Sequence, residues 1–352
     1  MRDGSLPYLT AEVPGIGGII RGTPEDFRVE ECPLYLPSGV GEHLYVRITK
    51  RGLATTDLVA YLSSRLGIKA RAIGVAGLKD ANAVSTQMVS LHGVAPESVA
   101  RVKHDRVLAL EVLGWHRNRL RPGHHAGNRF RLVIRRVHPH ASDTVPVTLN
   151  ELGRRGIPNY FGPQRQGRTG LNYQVGARLV QDRLRSSRMP KAKRLWYLNS
   201  YQSFLFNNIL ARRIESIDRV CDGDWAMKHV NGACFQVEDA TVEQARAEAF
   251  EISPTGPLFG SRSPWATGEP GEVERAAVAE LGQTTESLQQ AAAAYRFRGE
   301  RRALRVPLRD LEWAVTHDTV TISFSLPPGS YATSVLRELM KGDEPGASPE
   351  TK

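Results

Sequence analysis

Residues Asn128 to Val137 read NRFRLVIRRV, with arginine and apolar side chains in alternation. A strand turns successive side chains to opposite faces, so this period of two predicts a half-buried strand with a basic outer face. Such a strand constrains the whole chain, because it needs neighbours to pair with and a layer to cover its apolar face. The neighbours are legible. Gly22 to Glu31 reads as a turn entering a short strand. His43 to Lys50, Val84 to Leu91, Val107 to Leu113 and Val320 to Leu326 read as further strands, and Ile73 to Lys79 as an apolar, glycine-rich strand and loop.

Helical signals lie between them. Thr55-Thr56-Asp57 offers N-caps for a helix through Leu66, with Leu58, Tyr61 and Leu62 on one face. A helix is expected around Val147 to Arg155, another over Thr284 to Tyr295, and a final one over Tyr331 to Met340. From Tyr197 to Ile214, Leu198, Tyr201, Leu205 and Ile209 recur at helical spacing. Strands crowd the first part of the chain and return near residue 320, whereas the middle is richer in helix and loop. The pattern predicts an α+β fold with a mixed, largely antiparallel sheet and flanking helices, interrupted by a large inserted α/β domain. The tail after Lys341 is expected to be disordered.

The chain holds 47 Lys+Arg against 37 Asp+Glu, a net charge of +10. The excess is local. Val112 to Ser142 has seven arginines, five of the ten histidines and no acid; Arg178 to Arg194 and Arg296 to Arg309 are further basic runs. Glu238 to Glu286 is instead acidic. This asymmetry predicts a directed face for a polyanion, most simply nucleic acid. No run of about 18 apolar residues suggests a membrane span, and the N-terminus lacks the apolar core of a signal peptide. The three cysteines, Cys32, Cys221 and Cys234, have neither metal-ligand nor disulfide-framework spacing, which predicts a cytoplasmic protein. No P-loop, dinucleotide fingerprint, HExxH or GxSxG pattern occurs, and the adjacent His124 and His125 suit a structural or phosphate-contacting role better than metal ligation. No cofactor and no metal are expected.

One acidic residue stands apart. Gly74 to Gln87 reads GVAGLKDANAVSTQ and places Asp80 at the end of an apolar segment, beside Lys79 and among the small residues Gly77, Ala81 and Ala83. An adjacent cation favours the ionised carboxylate, as a nucleophile or base requires, and small neighbours leave room for a flat substrate. The residues alone leave a second reading open, in which Asp80 caps a turn with help from Asn82.

GLKDANAVSTQ resembles the catalytic motif of the TruD family of tRNA pseudouridine synthases. Pro24 to Glu31 (PEDFRVEE) is similar to the family's F-x-V-x-E segment, and His124 to Phe130 (HHAGNRF) to its G-N-x-F motif. Asn159 to Gly170 (NYFGPQRQGRTG) resembles its N-Y-F-G-x-Q-R-F-G loop. Ser200 to Asn207, Ser253 to Gly260 and Leu326 to Leu339 also resemble family segments, and all seven are collinear. Two positions depart: Gln166 and Tyr331 stand where the family has phenylalanine.

The resemblance implies a pseudouridine-synthase-like catalytic domain over residues 1–154 and 304–341, with a family-specific insertion over 155–303 forming the second wall of a cleft for tRNA. It implies an isomerase acting on uridine 13 of the D arm, through a flipped-out base and Asp80 as the essential carboxylate. Phe27 and Tyr331 become candidate ring-stackers, Asn128 a reader of the uracil edge, and Lys79 a charge near Asp80 or a phosphate. Arg121, Arg129, Arg165 and Arg168 become candidate phosphate contacts. The expected partner is tRNA, bound by a monomer. Two alternatives stay open at this point: a non-catalytic tRNA-binding protein or RNA chaperone, and a synthase acting on another RNA.

Overall fold

The computed structural model describes residues 6–167, 169–181 and 189–342. Arg168, residues 182–188 of the basic run from Arg178, and the tail from 343 therefore lie outside the described residues. The chain divides into two compact units. One comprises Gly15–Pro146, Leu308–Ala332 and the chain from Leu339; the other comprises the N-terminal residues to Pro14, Val147–Pro307 and Thr333–Glu338.

The first unit is built on an eight-stranded sheet. Its order is Arg309–Val315, Thr319–Leu326, His125–Arg135, Phe27–Pro33, Val84–His92, His43–Arg51 and Val107–His116, with Ile73–Val75 paired to Val84–His92. Every pairing is antiparallel except that of Phe27–Pro33 with Val84–His92. Phe27–Pro33 pairs with residues 84–86 of that strand, and Ile73–Val75 pairs with residues 89–91. The loop carrying Asp80 leaves Val75 and re-enters at Val84, so the sheet presents it where these neighbours change.

His125–Arg135 alternates as its sequence predicts: Phe130, Leu132 and Ile134 are buried, while Arg129, Arg131 and Arg135 are exposed. Phe130 packs edge-on to Phe27 and against Phe324 of the neighbouring strands, with centroids at 6.2 and 5.4 Å. Toward the other edge, Leu44, Val46, Ile48, Val89 and Leu91 meet Leu58 and Leu62 of the helix Thr55–Leu66. That helix departs from its predicted cap. Its N-cap is Ala54, and Thr55 is buried in the first turn because its hydroxyl is used by the Asp80 loop instead. Gly67, in the left-handed conformation, ends it.

The second unit is helical around two small antiparallel sheets. One runs Glu300–Ala303, Ile252–Leu258, Trp225–Lys228, Cys234–Gln236; the other pairs Arg305–Val306 with Ile157–Pro158. The helix expected from Tyr197 starts earlier and spans Lys191–Arg212. Its predicted stripe of Leu198, Tyr201, Leu205 and Ile209 is buried against Ala277, Val278 and Leu288.

The basic run from Arg296 is a correction to the polyanion reading. Arg301 is buried on Glu274 at 2.8 Å. Arg305 is fully buried and donates to the carbonyls of Arg155 and Ala247, and burial pushes its pKa down to about 10. Arg302 lies over the Phe161 ring at 4.1 Å and donates to Asn159. A guanidinium carries five donors in a fixed fork, so it can join several backbone carbonyls in a loop-rich core, where no short side chain could. The acids of Glu238 to Glu286 are partly structural as well: Asp239 caps a helix, and Glu274 holds Arg301. Among the described residues no helix is long and apolar enough to cross a membrane.

Candidate active site

The site is assembled in the first unit around the 76–83 loop. Asp80 is exposed there, its side chain 72% accessible, and Arg21 donates to its Oδ2 at 3.3 Å. The same guanidinium lies 4.4 Å from the centroid of the Phe27 ring. One cation therefore joins the carboxylate to the aromatic face, although Arg21 and Asp80 are 59 residues apart in sequence. Arg21 adopts φ +58°, a left-handed conformation that costs a non-glycine residue roughly 1–3 kcal/mol. Sequence reasoning missed it. The signal available was a basic residue set against Gly22 just ahead of Phe27, and a positive φ is not written in residue type.

Phe27 itself is buried, with its ring edge-on to Phe130. The turn before it, Pro24–Asp26, is closed by Asp26, whose carboxylate accepts from the Thr23 amide at 3.0 Å and from Arg135 at 2.7 and 3.0 Å. The Arg135 guanidinium holds the Asp26 carboxyl below the usual carboxylate range. Phe27 and Glu31 share one face of their strand and stand in register with Leu132 and Asn128 of the next. Asn128 is half-buried, and among the described residues nothing bonds its buried Oδ1.

Lys79 adjoins Asp80 in the chain but is buried. Its ammonium is buried on Glu31 Oε2 at 2.8 Å, with side chains 5% and 0% accessible, so it supports the loop from beneath and is not presented to a substrate or a phosphate. Gly77 is also corrected. A Cβ there would meet the Lys79 ammonium at 3.2 Å and Glu31 at 3.7 Å, so the missing side chain makes room for this pair. Lys50 lies fully buried on the same strand as Ile48 and donates to the Leu53 carbonyl; burial pushes its pKa down to about 8. Burial likewise pushes His125 down.

The candidate phosphate contacts separate. Arg121 is exposed in the 117–123 loop, which is pinned by the bonds of Leu120 N to Ser90 Oγ at 2.9 Å and Gly123 N to the Ala76 carbonyl at 2.8 Å. Arg121 therefore projects from a rigid loop next to the one that carries Asp80. Arg129 follows Asn128 in a strand, so the two face opposite sides of the sheet, and Arg129 cannot share the face of Asn128 and Phe27. Arg165 belongs to the second unit, where it is exposed and stacks over Phe161 at 5.1 Å; Arg168 lies outside the described residues. Gln166, in the same 3-10 turn, donates to the Ser200 carbonyl at 3.2 Å, so a polar tether to the long helix stands where the family has an aromatic ring. Tyr331 is half-buried just before the last helix, and among the described residues no ring contact joins it to Phe27.

The family model of tRNA pseudouridine synthase D matches residues 4–190 and 186–339. The chain belongs to the TruD family of tRNA pseudouridine synthases. Among curated TruD relatives, the tRNA pseudouridine synthase D of Geobacter sp. (strain M21) is 40% identical across 96% of this chain and 99% of its own. That of Thermus thermophilus is 42% identical across 95% of this chain and 92% of its own. The crystal structure of the TruD protein of Methanosarcina mazei superposes with a TM-score of 0.82 at 25% identity, covering 97% of each chain. The α+β architecture, with its antiparallel sheets and helices, is thus a TruD fold.

Proposed function

We propose that this protein isomerises uridine 13 in the D arm of tRNA to pseudouridine, and that Asp80 is the carboxylate that performs the chemistry. The observation that carries the reading is the triad of Arg21, Asp80 and Phe27. It sets an exposed carboxylate beside a cation and an aromatic ring, on a loop whose Lys79 is held by Glu31 and Thr55. The reaction breaks the N1–C1′ bond, turns the uracil, and joins C5 to C1′; C5 gives up its proton and N1 takes one up, so substrate and product are isomers. Nothing is oxidised or reduced, so the balance calls for no redox partner. Asp80 acts by attack at C1′, by attack at C6, or by removing the C2′ proton; all three use the carboxylate, against which Arg21 sets a guanidinium.

A base inside a folded tRNA reaches Asp80 only when flipped out, at a cost of a few kcal/mol. Stacking on Phe27 offsets that cost by roughly 1–3 kcal/mol. Arg21 covers that ring in the free protein, so the incoming uracil exchanges places with its guanidinium. Asn128 Oδ1 accepts from the uracil N3–H. Arg121 and Arg165 are phosphate contacts. In this reading the first unit is the catalytic domain and the second the family-specific one.

The test is tritium release from tRNA labelled at uridine C5, run with wild type and Asp80→Asn beside a binding assay. Release by wild type only, with binding kept by both, is the expected result. Binding by both without release, across a full tRNA pool, would leave a tRNA-binding module. A tRNA carrying cytidine at position 13 decides the site: continued release from it overturns the assignment of uridine 13.

A further inference from the structure

The chain on either side of Asp80 is held by two buried side chains from elsewhere in the fold. Glu31 is the first. Its Oε2 accepts from the Lys79 ammonium at 2.8 Å, and its Oε1 from the Met88 amide at 3.1 Å. Met88 lies between residues 84–86, which pair with Phe27–Pro33, and residues 89–91, which pair with Ile73–Val75. Its amide thus meets the change of neighbours, and a carboxylate serves it there. Thr55 is the second. Its Oγ1 accepts from the Lys79 amide at 2.8 Å and donates to Gln87 Oε1 at 2.7 Å. Each clip grips Lys79, just before Asp80, and one residue in the middle of the strand Val84–His92, Met88 for Glu31 and Gln87 for Thr55. Gly77 leaves the room that the first clip occupies.

We infer that Glu31 and Thr55 are positioning residues that fix the Asp80 loop by gripping the chain on both sides of it. The inference rests on the reading that Asp80 performs the chemistry. Asp80 is itself exposed, and among the described residues Arg21 alone bonds its carboxylate, so its place is set through the loop. A buried ion pair is not a general source of stability, because desolvation offsets the attraction. Its use here is geometric: the pair and the two backbone amides specify one path for the chain between Lys79 and Met88.

Two readouts separate this role from a structural one. The first is amide hydrogen exchange over residues 78–88, which does not depend on activity. Glu31→Gln and Thr55→Val should each speed exchange there by about tenfold or more, leaving the rest of the sheet unchanged. The second is kcat from tritium release, where a loop misplaced by about 1 Å costs up to roughly 100-fold while tRNA affinity stays within about twofold. The double variant Glu31→Gln/Lys79→Met removes both buried charges. It should recover the wild-type Tm and still turn over at least about tenfold slowly. Recovery of kcat with Tm would overturn the inference, reducing the pair to charge balance, and so would unchanged exchange in both single variants. If wild type releases no tritium, the reading of Asp80 fails, and the exchange result alone decides whether the clips exist.

Discussion

Arg21 shows how much chemistry one strained residue can concentrate. Its guanidinium bonds Asp80 and lies over the Phe27 ring, and it does so from a left-handed backbone. Strain of this kind persists where the surroundings over-determine it, which is common at functional sites. Replacing Arg21 by glycine separates the two effects. Relief of about 1 kcal/mol or more of backbone strain offsets an exposed ion pair worth roughly 0–1 kcal/mol. Arg21→Gly should therefore keep its Tm or gain slightly, while kcat falls at least tenfold for want of a cation beside Asp80. A marked loss of Tm with turnover intact would show that Arg21 serves the fold and not the site.

At the scale of the element, the strand His125–Arg135 ties the site to the sheet. Gly127 adopts φ +154°, and a Cβ there would lie 2.4 Å from the Leu326 carbonyl oxygen of the adjacent strand. The close approach is what aligns Asn128 with Glu31 across one pair and with Leu326 across the other. Gly127→Ala should cost about 1–3 kcal/mol in denaturant unfolding and displace Asn128, so that KM rises along with the loss of stability. Stability within a few tenths of wild type would mean that the two strands separate more easily than their register implies. The helix Thr55–Leu66 makes a related point. Its first turn forgoes a side-chain cap because Thr55 is used to hold Lys79 and Gln87, a local cost accepted for the site.

For the whole molecule, the net charge of +10 overstates what is available to RNA. Arg301 and Arg305 are buried in the second unit, and Arg129 and Arg131 lie on the sheet face opposite Asn128. The 117–123 loop, with Arg117 and Arg121 exposed on a pinned backbone, remains beside the Asp80 loop. Phosphate contacts release counterions, at about 0.7–0.9 log units of affinity per contact per decade of salt. Arg117→Ala/Arg121→Ala should thus flatten the salt dependence of tRNA binding by about 1.5 units and leave turnover at saturating tRNA near wild type. Arg129→Ala should leave the slope unchanged. The reverse pattern would move the RNA to the other face of the sheet.

Much of this was legible in the sequence because it is local. Period two placed the strands, including the alternation of Phe130, Leu132 and Ile134 with arginine. Helical spacing placed Leu198, Tyr201, Leu205 and Ile209 in a core. Collinear motifs identified the family and singled out Asp80. Pairings between residues far apart in the chain were not legible. Arg21 meets Asp80 and Glu31 meets Lys79 across 59 and 48 residues. Those meetings depend on which strands become neighbours, and no periodicity encodes strand order. For the same reason, the glycine beside Asp80 suggested space for a substrate until the sheet filled that space with an ion pair. Residue order alone was enough to lay out the elements and to point to Asp80. Packing in three dimensions then settled that Arg21 stands beside that carboxylate, that Glu31 meets Lys79, and which arginines are buried. Charge and hydrogen bonding act through distance in space, and distance is set by how the sheet packs.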